Sequence, residues 1–169
     1  MRKIAVIGAG KIGSAIVDML QSSAAYAVAV VDRDEVRLAA LKTGEGVERI
    51  AVDVSDPAAL AAKLKDVFAV ISAAPYQLTV PIAQAVKAVG AHYLDLTEDV
   101  ASTRQVRELA RDATGAFIPQ CGLAPGFISI VAADLAARFD ELHDVRLRVG
   151  ALPRYPSNGL NYNLTWSTE

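Results

Sequence analysis

Six short apolar runs punctuate the first 119 residues, at 3–7, 27–31, 48–52, 69–72, 92–95 and 116–119. They are nearly continuous in Val, Ile and Ala instead of alternating with polar residues, the pattern of strands covered on both faces. Longer segments with helical spacing separate them, at 12–22, 35–42, 57–65, 79–89 and 100–113. This alternation predicts an α/β fold, a doubly wound parallel sheet with helices on both faces. Local signals mark several boundaries. Ser55-Asp56-Pro57 sets a capping residue before a proline at the first helical position. Pro81 suits the first turn of its helix, Gly90 the cap that follows it, and Gly115 the end of the next helix.

The pattern changes after Pro119. Gln120-Cys121-Gly122-Leu123-Ala124-Pro125-Gly126-Phe127 forms a glycine- and proline-bearing joint. Residues 128–139 read as a helix, with Asp134 and Arg138 at i, i+4 spacing. Over 144–151, Val145, Leu147 and Val149 alternate with Arg146, Arg148 and Gly150, which predicts a strand of an open sheet. The tail 152–169 carries Tyr155, Tyr162 and Trp166 among asparagines. The expected organisation is one domain over 1–122 and a second over 123–169, of which the chain holds only the beginning.

The opening segment carries the sharpest chemical signal. The run 3–7 leads into Gly8-Ala9-Gly10-Lys11-Ile12-Gly13, a helix follows, and the second run ends on Asp32, 19 residues beyond Gly13. Strand, glycine turn, helix, second strand and acid together meet the requirements of a dinucleotide-binding fingerprint, the Rossmann pattern. Gly8 permits the tight turn, Gly10 lets the backbone approach a pyrophosphate, and Gly13 seats the helix against the strand. Ala9, Lys11 and Ile12 lie where backbone amides and the positive end of the helix meet phosphate. Asp32 suits the ribose hydroxyls and repels a 2′-phosphate, which favours NAD. Arg33 can pair with such a phosphate, so NADP remains possible.

Composition narrows the classes. Apolar residues make up 53% of the 169, enough for a packed core, and the net charge of −2 favours neither nucleic acid nor an anionic membrane as partner. No apolar run is long enough to span a bilayer, and no signal peptide is expected. Cys121 is the single cysteine, and with His92 and His143 it makes no metal-binding cluster. A soluble cytoplasmic protein is the expectation.

The chain also resembles the saccharopine dehydrogenase family, including its lysine 6-dehydrogenase-like members. The matching elements are KIAVIGAGKIGSAIVDML at 3–20, VVDRD at 30–34, DVSD at 53–56, SAAPY at 72–76, HYLDLTED at 92–99 and QCGLAPGF at 120–127. The joint is the specific one. Many saccharopine reductases carry an acid at the place of Ala124, where this chain resembles the lysine 6-dehydrogenase-like members. The resemblance implies hydride exchange between a nicotinamide and a carbon bearing an amine, with an amino acid or opine as small-molecule substrate. It also implies a Rossmann domain followed by an α+β substrate domain, of which this chain contains a truncated start. A homodimer is the expected assembly of the full-length protein.

Each remaining candidate has a functional and a plainer role. Asp53 can bond the adenine amine with Val54 packed nearby, or it can open the turn with Ser55 and Asp56. Ala73, Ala74 and Pro75 leave the fourth strand where a cofactor passes close to the backbone. Tyr76 can donate a hydrogen bond near the nicotinamide or substrate, or cover the helix start. Asp95 is expected to point beyond the fifth strand, where a carboxylate meets a substrate amine or takes its proton. Alternatively, Asp95 and Thr97 cap the helix that follows. His92 sits at the strand start, away from the chemistry. Cys121 is expected to pack near the nicotinamide, since hydride transfer needs no thiolate. Gly122 and Gly126 suit close approach in the joint; Arg146 and Arg148 can bind a carboxylate, or, as the plainer role, form an exposed strand face. Three functions follow: an NAD(P)-dependent oxidoreductase of amino acids or opines, a nucleotide-sensing regulatory module, and an isolated cofactor-binding fragment. The sixth strand and the joint beyond it weigh against a minimal sensor.

Overall fold

A computed structural model describes residues 1–44, 46–148, 150, 155 and 159. The chain divides into two compact units, Met1–Gln120 and Cys121–Glu169. In the first, strands β1 (Arg2–Ile7), β2 (Tyr26–Asp32), β3 (Glu48–Ala51), β4 (Ala69–Ser72), β5 (His92–Asp95) and β6 (Phe117–Ile118) form one sheet in the order β3-β2-β1-β4-β5-β6. Every pairing is parallel. Helices α1 (Lys11–Ser22), α2 (Glu35–Ala40), α3 (Pro57–Lys63), α4 (Thr79–Val89) and α5 (Val100–Ala110) make the crossovers, and a short turn of 3₁₀ helix, Tyr76–Leu78, precedes α4.

Period-two side-chain alternation sorts the strand residues into two layers. Val6, Val28 and Val30 pack on one face with Val17 of α1 and Leu38 of α2. Ala5, Ile7, Ala29, Val31 and Val70 pack on the other with Leu60 of α3, Ile82 and Val86 of α4 and Val106 of α5. Both faces are dry, which is why the strands read as continuous apolar runs.

The caps follow the sequence signals with two exceptions. Asp56 accepts from the amides of Ala58 and Ala59 ahead of Pro57, and Gly90 closes α4. Asp99, and not Asp95 or Thr97, caps α5, accepting from Ser102 N at 2.7 Å. Gly115 does not end α5, which stops at Ala110. A Cβ at Gly115 would overlap the Ala91 carbonyl, so glycine serves the close passage of the chain beside the start of β5. Helix α2 ends two residues before its apolar pattern. Arg49 of β3 reaches back to the Leu38 and Leu41 carbonyls at 2.9 and 3.2 Å, satisfying acceptors the helix end leaves over.

The second unit contains α6 (Phe127–Ala136), with the expected ion pair joining Asp134 in its last turn to Arg138 just past its end. A Cβ at Gly126 would overlap Gly122, so the joint does use glycine for close approach. None of the unit's described residues is buried. The strand expected over 144–151 is absent among the described residues: 144–148 make no strand pairing, and Val145 and Leu147 are exposed. Alternation chooses which face a strand would present, but a strand forms only with a hydrogen-bonding neighbour. Val149 and Ala151 lie outside the described residues, as do Tyr162 and Trp166 of the tail.

Candidate dinucleotide-binding site

The sequence-predicted positions in the first unit gather at the carboxyl ends of the strands. Strands β1 and β4 are neighbours whose onward helices cover opposite faces, which makes the gap between them the switch point where ligands of such sheets bind. The glycine loop leaves β1 here. Gly8 N–H donates to Val31 O at 2.7 Å, and Ala73 N–H donates to Ile7 O at 2.8 Å, so the loop is tied to both neighbouring strands. Gly8 has a φ of +103°, and a Cβ there would sit 3.0 Å from the Ala73 carbonyl oxygen. A Cβ at Gly13 would overlap the Gly8 carbonyl. Gly10 is different: its Cβ would meet nothing within 4 Å, and its φ of −80° suits any residue. No protein neighbour calls for glycine at position 10, whereas a phosphate resting on that backbone would.

Helix α1 begins at this point with no side chain capping it and no acid in its first turn. Ser14 donates through both its amide and its hydroxyl to Gly10 O, closing the first turn and leaving the preceding amides directed out of the helix. By contrast, α2, α3 and α5 are each capped by an aspartate, Asp34, Asp56 and Asp99. The open amides and dipole of α1 fit the diphosphate of a dinucleotide.

Asp32 closes the adenosine side. Its Oδ2 accepts from Ala9 N at 2.8 Å and its Oδ1 from Asp34 N at 3.0 Å, so the carboxylate also braces the glycine loop. Each oxygen keeps a further acceptor position for ribose hydroxyls. Arg33 is exposed beside it, close enough to Asp53 to help hold that carboxyl down. The larger cause of that lowered pKa is Ser55, whose amide and hydroxyl both donate to Asp53 Oδ1 at 2.9 and 2.7 Å. Asp53 therefore builds the turn, as its plainer role predicts, while remaining exposed; Val54 is part of the core. A cleft of about 300 Å³ between α1 and α2 borders Ala9 and Ser14 but otherwise lies on the helical flank, lined by Asp18, Arg37 and Lys42.

On the other side of the switch point, Ala73, Ala74 and Tyr76 are half-buried and Pro75 is exposed. His92 accepts the Ala116 amide through Nδ1 at 2.9 Å and packs edge-on to Phe68, a structural role away from the loop. Cys121 opens the second unit and is half-buried.

Asp95 departs from expectation. It is 1% exposed, closed to solvent rather than open to an incoming amine. Its Oδ1 accepts two backbone amides, Thr97 N at 3.1 Å and Gln120 N at 3.0 Å. Its Oδ2 and the hydroxyl of Tyr93, two residues earlier on the same strand, are buried beside each other, and neither makes a hydrogen bond of good geometry. Burial, and then the charge of Asp95, push the Tyr93 hydroxyl above the usual phenol range. No sequence signal pointed to Tyr93, because an apolar run conceals which of its members faces a polar neighbour.

Comparison with known proteins follows the same outline. A family model described as the saccharopine dehydrogenase NADP binding domain matches residues 4–118. Apo saccharopine dehydrogenase (L-Glu forming) from Saccharomyces cerevisiae superposes with a TM-score of 0.74 at 21% identity over 99% of this chain, which spans 39% of that enzyme's length. The NAD(P)-binding domain of an exopolyphosphatase-related protein from Archaeoglobus fulgidus superposes with a TM-score of 0.58 at 18% identity, covering 82% of this chain and all of that one. The GsuK channel bound to NAD gives a TM-score of 0.56 at 13% identity over 69% of this chain and 21% of its own. These structural likenesses show the shared Rossmann fold.

Proposed function

The chain belongs to the saccharopine dehydrogenase NADP binding domain family, and from that premise we propose that it seats NAD at the glycine loop and serves, in a complete enzyme, redox chemistry at the carbon–nitrogen bond of an amino acid or opine. A lysine- or saccharopine-like substrate is the proposed class. The family supports a nicotinamide cofactor of the NAD(P) kind. The observation that carries the reading is the start of α1 at the switch point, uncapped and preceded by a Gly10 whose Cβ would meet no protein atom within 4 Å.

Within that reading, the first amides of α1 hold the diphosphate and Asp32 accepts the ribose hydroxyls. Asp32 also disfavours a 2′-phosphate by charge, which supports NAD over NADP despite Arg33 next door. The backbone of Ala73, Ala74 and Pro75 borders the cofactor path, and the Tyr76 hydroxyl donates near the nicotinamide or substrate. Bound nicotinamide supplies hydride acceptance or donation; the protein supplies binding and orientation. The burial of Asp95 weighs against a carboxylate that touches substrate. Among the described residues no helix is long and apolar enough to cross a membrane. A cytoplasmic homodimer is the proposed state of the whole protein.

Calorimetry on this chain with NAD, NADH, NADP and NADPH tests the reading. Measurable binding of NAD(H), with NADP(H) weaker by about tenfold from charge repulsion at Asp32, is expected. Silence toward all four from folded protein would end the cofactor proposal, and equal affinities would end the preference for NAD. The chain alone is expected to bind without turning over lysine. Robust oxidation by it would show that the catalytic residues lie within these 169.

A further inference from the structure

The end of β5 carries a buried carboxylate that this function leaves unused. Asp95 closes the strand in register with Ser72 of β4, and its Oδ1 ties two amides far apart in sequence, those of Thr97 and Gln120. Gln120 has a φ of +63°, a left-handed conformation that residues bearing a Cβ seldom adopt unless the surroundings hold them there. It is also the last residue of the first unit, immediately before Cys121 and the glycine- and proline-bearing joint. A carboxylate bond to the amide of a strained residue is suited to holding that residue's conformation.

We propose that Asp95 is a positioning residue: by holding the Gln120 amide it keeps residue 120 left-handed at the end of the first unit. This does not depend on the cofactor. The second carboxylate oxygen, beside the buried Tyr93 hydroxyl, predicts which replacement is tolerated. An asparagine keeps one oxygen for both amides and offers its NH₂ to the tyrosine oxygen, whereas an alanine strands both amides. A carboxylate that took a proton from substrate could not be replaced in this way.

The test uses the full chain and the single thiol at Cys121 as reporter, labelled with Ellman's reagent at fixed pH, with NADH affinity measured in parallel. D95N, which keeps an acceptor oxygen, is expected to label within about twofold of the unsubstituted chain, and D95A faster by roughly tenfold, the factor for losing the hydrogen bond that holds the Gln120 amide. Should D95A fail to fold, Q120V reads the same joint from its surface side. A β-branched residue resists a positive φ, so labelling is expected to accelerate by about the same factor, while Q120N, which tolerates that φ, stays near the parent rate. NADH affinity is expected to remain within about twofold in all four, each substitution lying outside the glycine loop. Parent-like labelling of folded D95A or of Q120V, or D95N labelling as fast as D95A, overturns the proposal. Loss of NADH binding in D95N overturns it too, by assigning the carboxylate to the ligand.

Discussion

At the end of β5 the chain answers its own backbone. Asp95 takes the amides of Thr97 and Gln120, Thr97 Oγ1 takes that of Asp99 at 3.2 Å, and Asp99 takes that of Ser102 as α5 begins. At the end of β1 the equivalent crossing is made by Gly8, Ala9 and Gly10, which bring no polar side chain, and α1 starts without a cap. Both crossings leave parallel strands at the same edge of one sheet. Orphan helix amides are costly to leave without an acceptor. Helix α4 also starts without a side-chain cap, but it continues a 3₁₀ turn; the uncapped start of α1 lies at the switch point, where the proposed dinucleotide would complete the hydrogen bonding.

That contrast can be broken in graded steps. The largest effect is expected from Gly13→Val, whose side chain would overlap the Gly8 carbonyl; a loss of more than about 3 kcal/mol, seen as collapse of the thermal transition, would follow from backbone overlap. Gly10→Leu should do the reverse. With no protein atom within 4 Å of its Cβ, the melting temperature stays close to the parent value while calorimetry loses dinucleotide binding by roughly a hundredfold or more. A Gly10→Leu chain that still binds NAD would remove the glycine loop from the site.

Asp32→Ala comes next. It removes both the ribose acceptor and the brace on Ala9, so NAD affinity should fall by about tenfold and the NAD-to-NADP ratio should shrink. An unchanged ratio would show that Arg33, not Asp32, governs the 2′ position. Asp56→Ala, at a crossing remote from the proposed site, should cost about 1 kcal/mol in denaturant unfolding and leave NAD binding unaltered. The smallest effect is a pH dependence. The bonds from Ser102 hold the Asp99 carboxyl below its ordinary 3.8, so the cap contributes above that value and is lost as pH falls through the lowered one. Asp99→Asn should flatten that acid limb slightly in melts against pH; an unaltered limb would show that the cap adds nothing to stability.

Much of this was legible from spacing. The six strands, the helices between them, the Asp56 cap and the Gly8–Gly13 loop were all expected, because apolar period and capping are decided within a turn or two of the chain. The failures share another cause. Period-two alternation over 144–151 described a face without supplying the neighbour a strand needs, and Gly115 looked like a helix end when its role is set by the Ala91 carbonyl beside it.

The sequence by itself determined a doubly wound parallel sheet and the place of its phosphate-binding turn, since both rest on local periodicity and on where side chains are missing. Only the tertiary structure decided that Asp32 braces Ala9, that Asp95 turns inward to hold Gln120, and that Gly10 faces open space while Gly13 faces a carbonyl. Those outcomes depend on register and approach between segments more than twenty residues apart, and at Gly13 on how closely helix meets strand. No run of neighbouring letters encodes such distances.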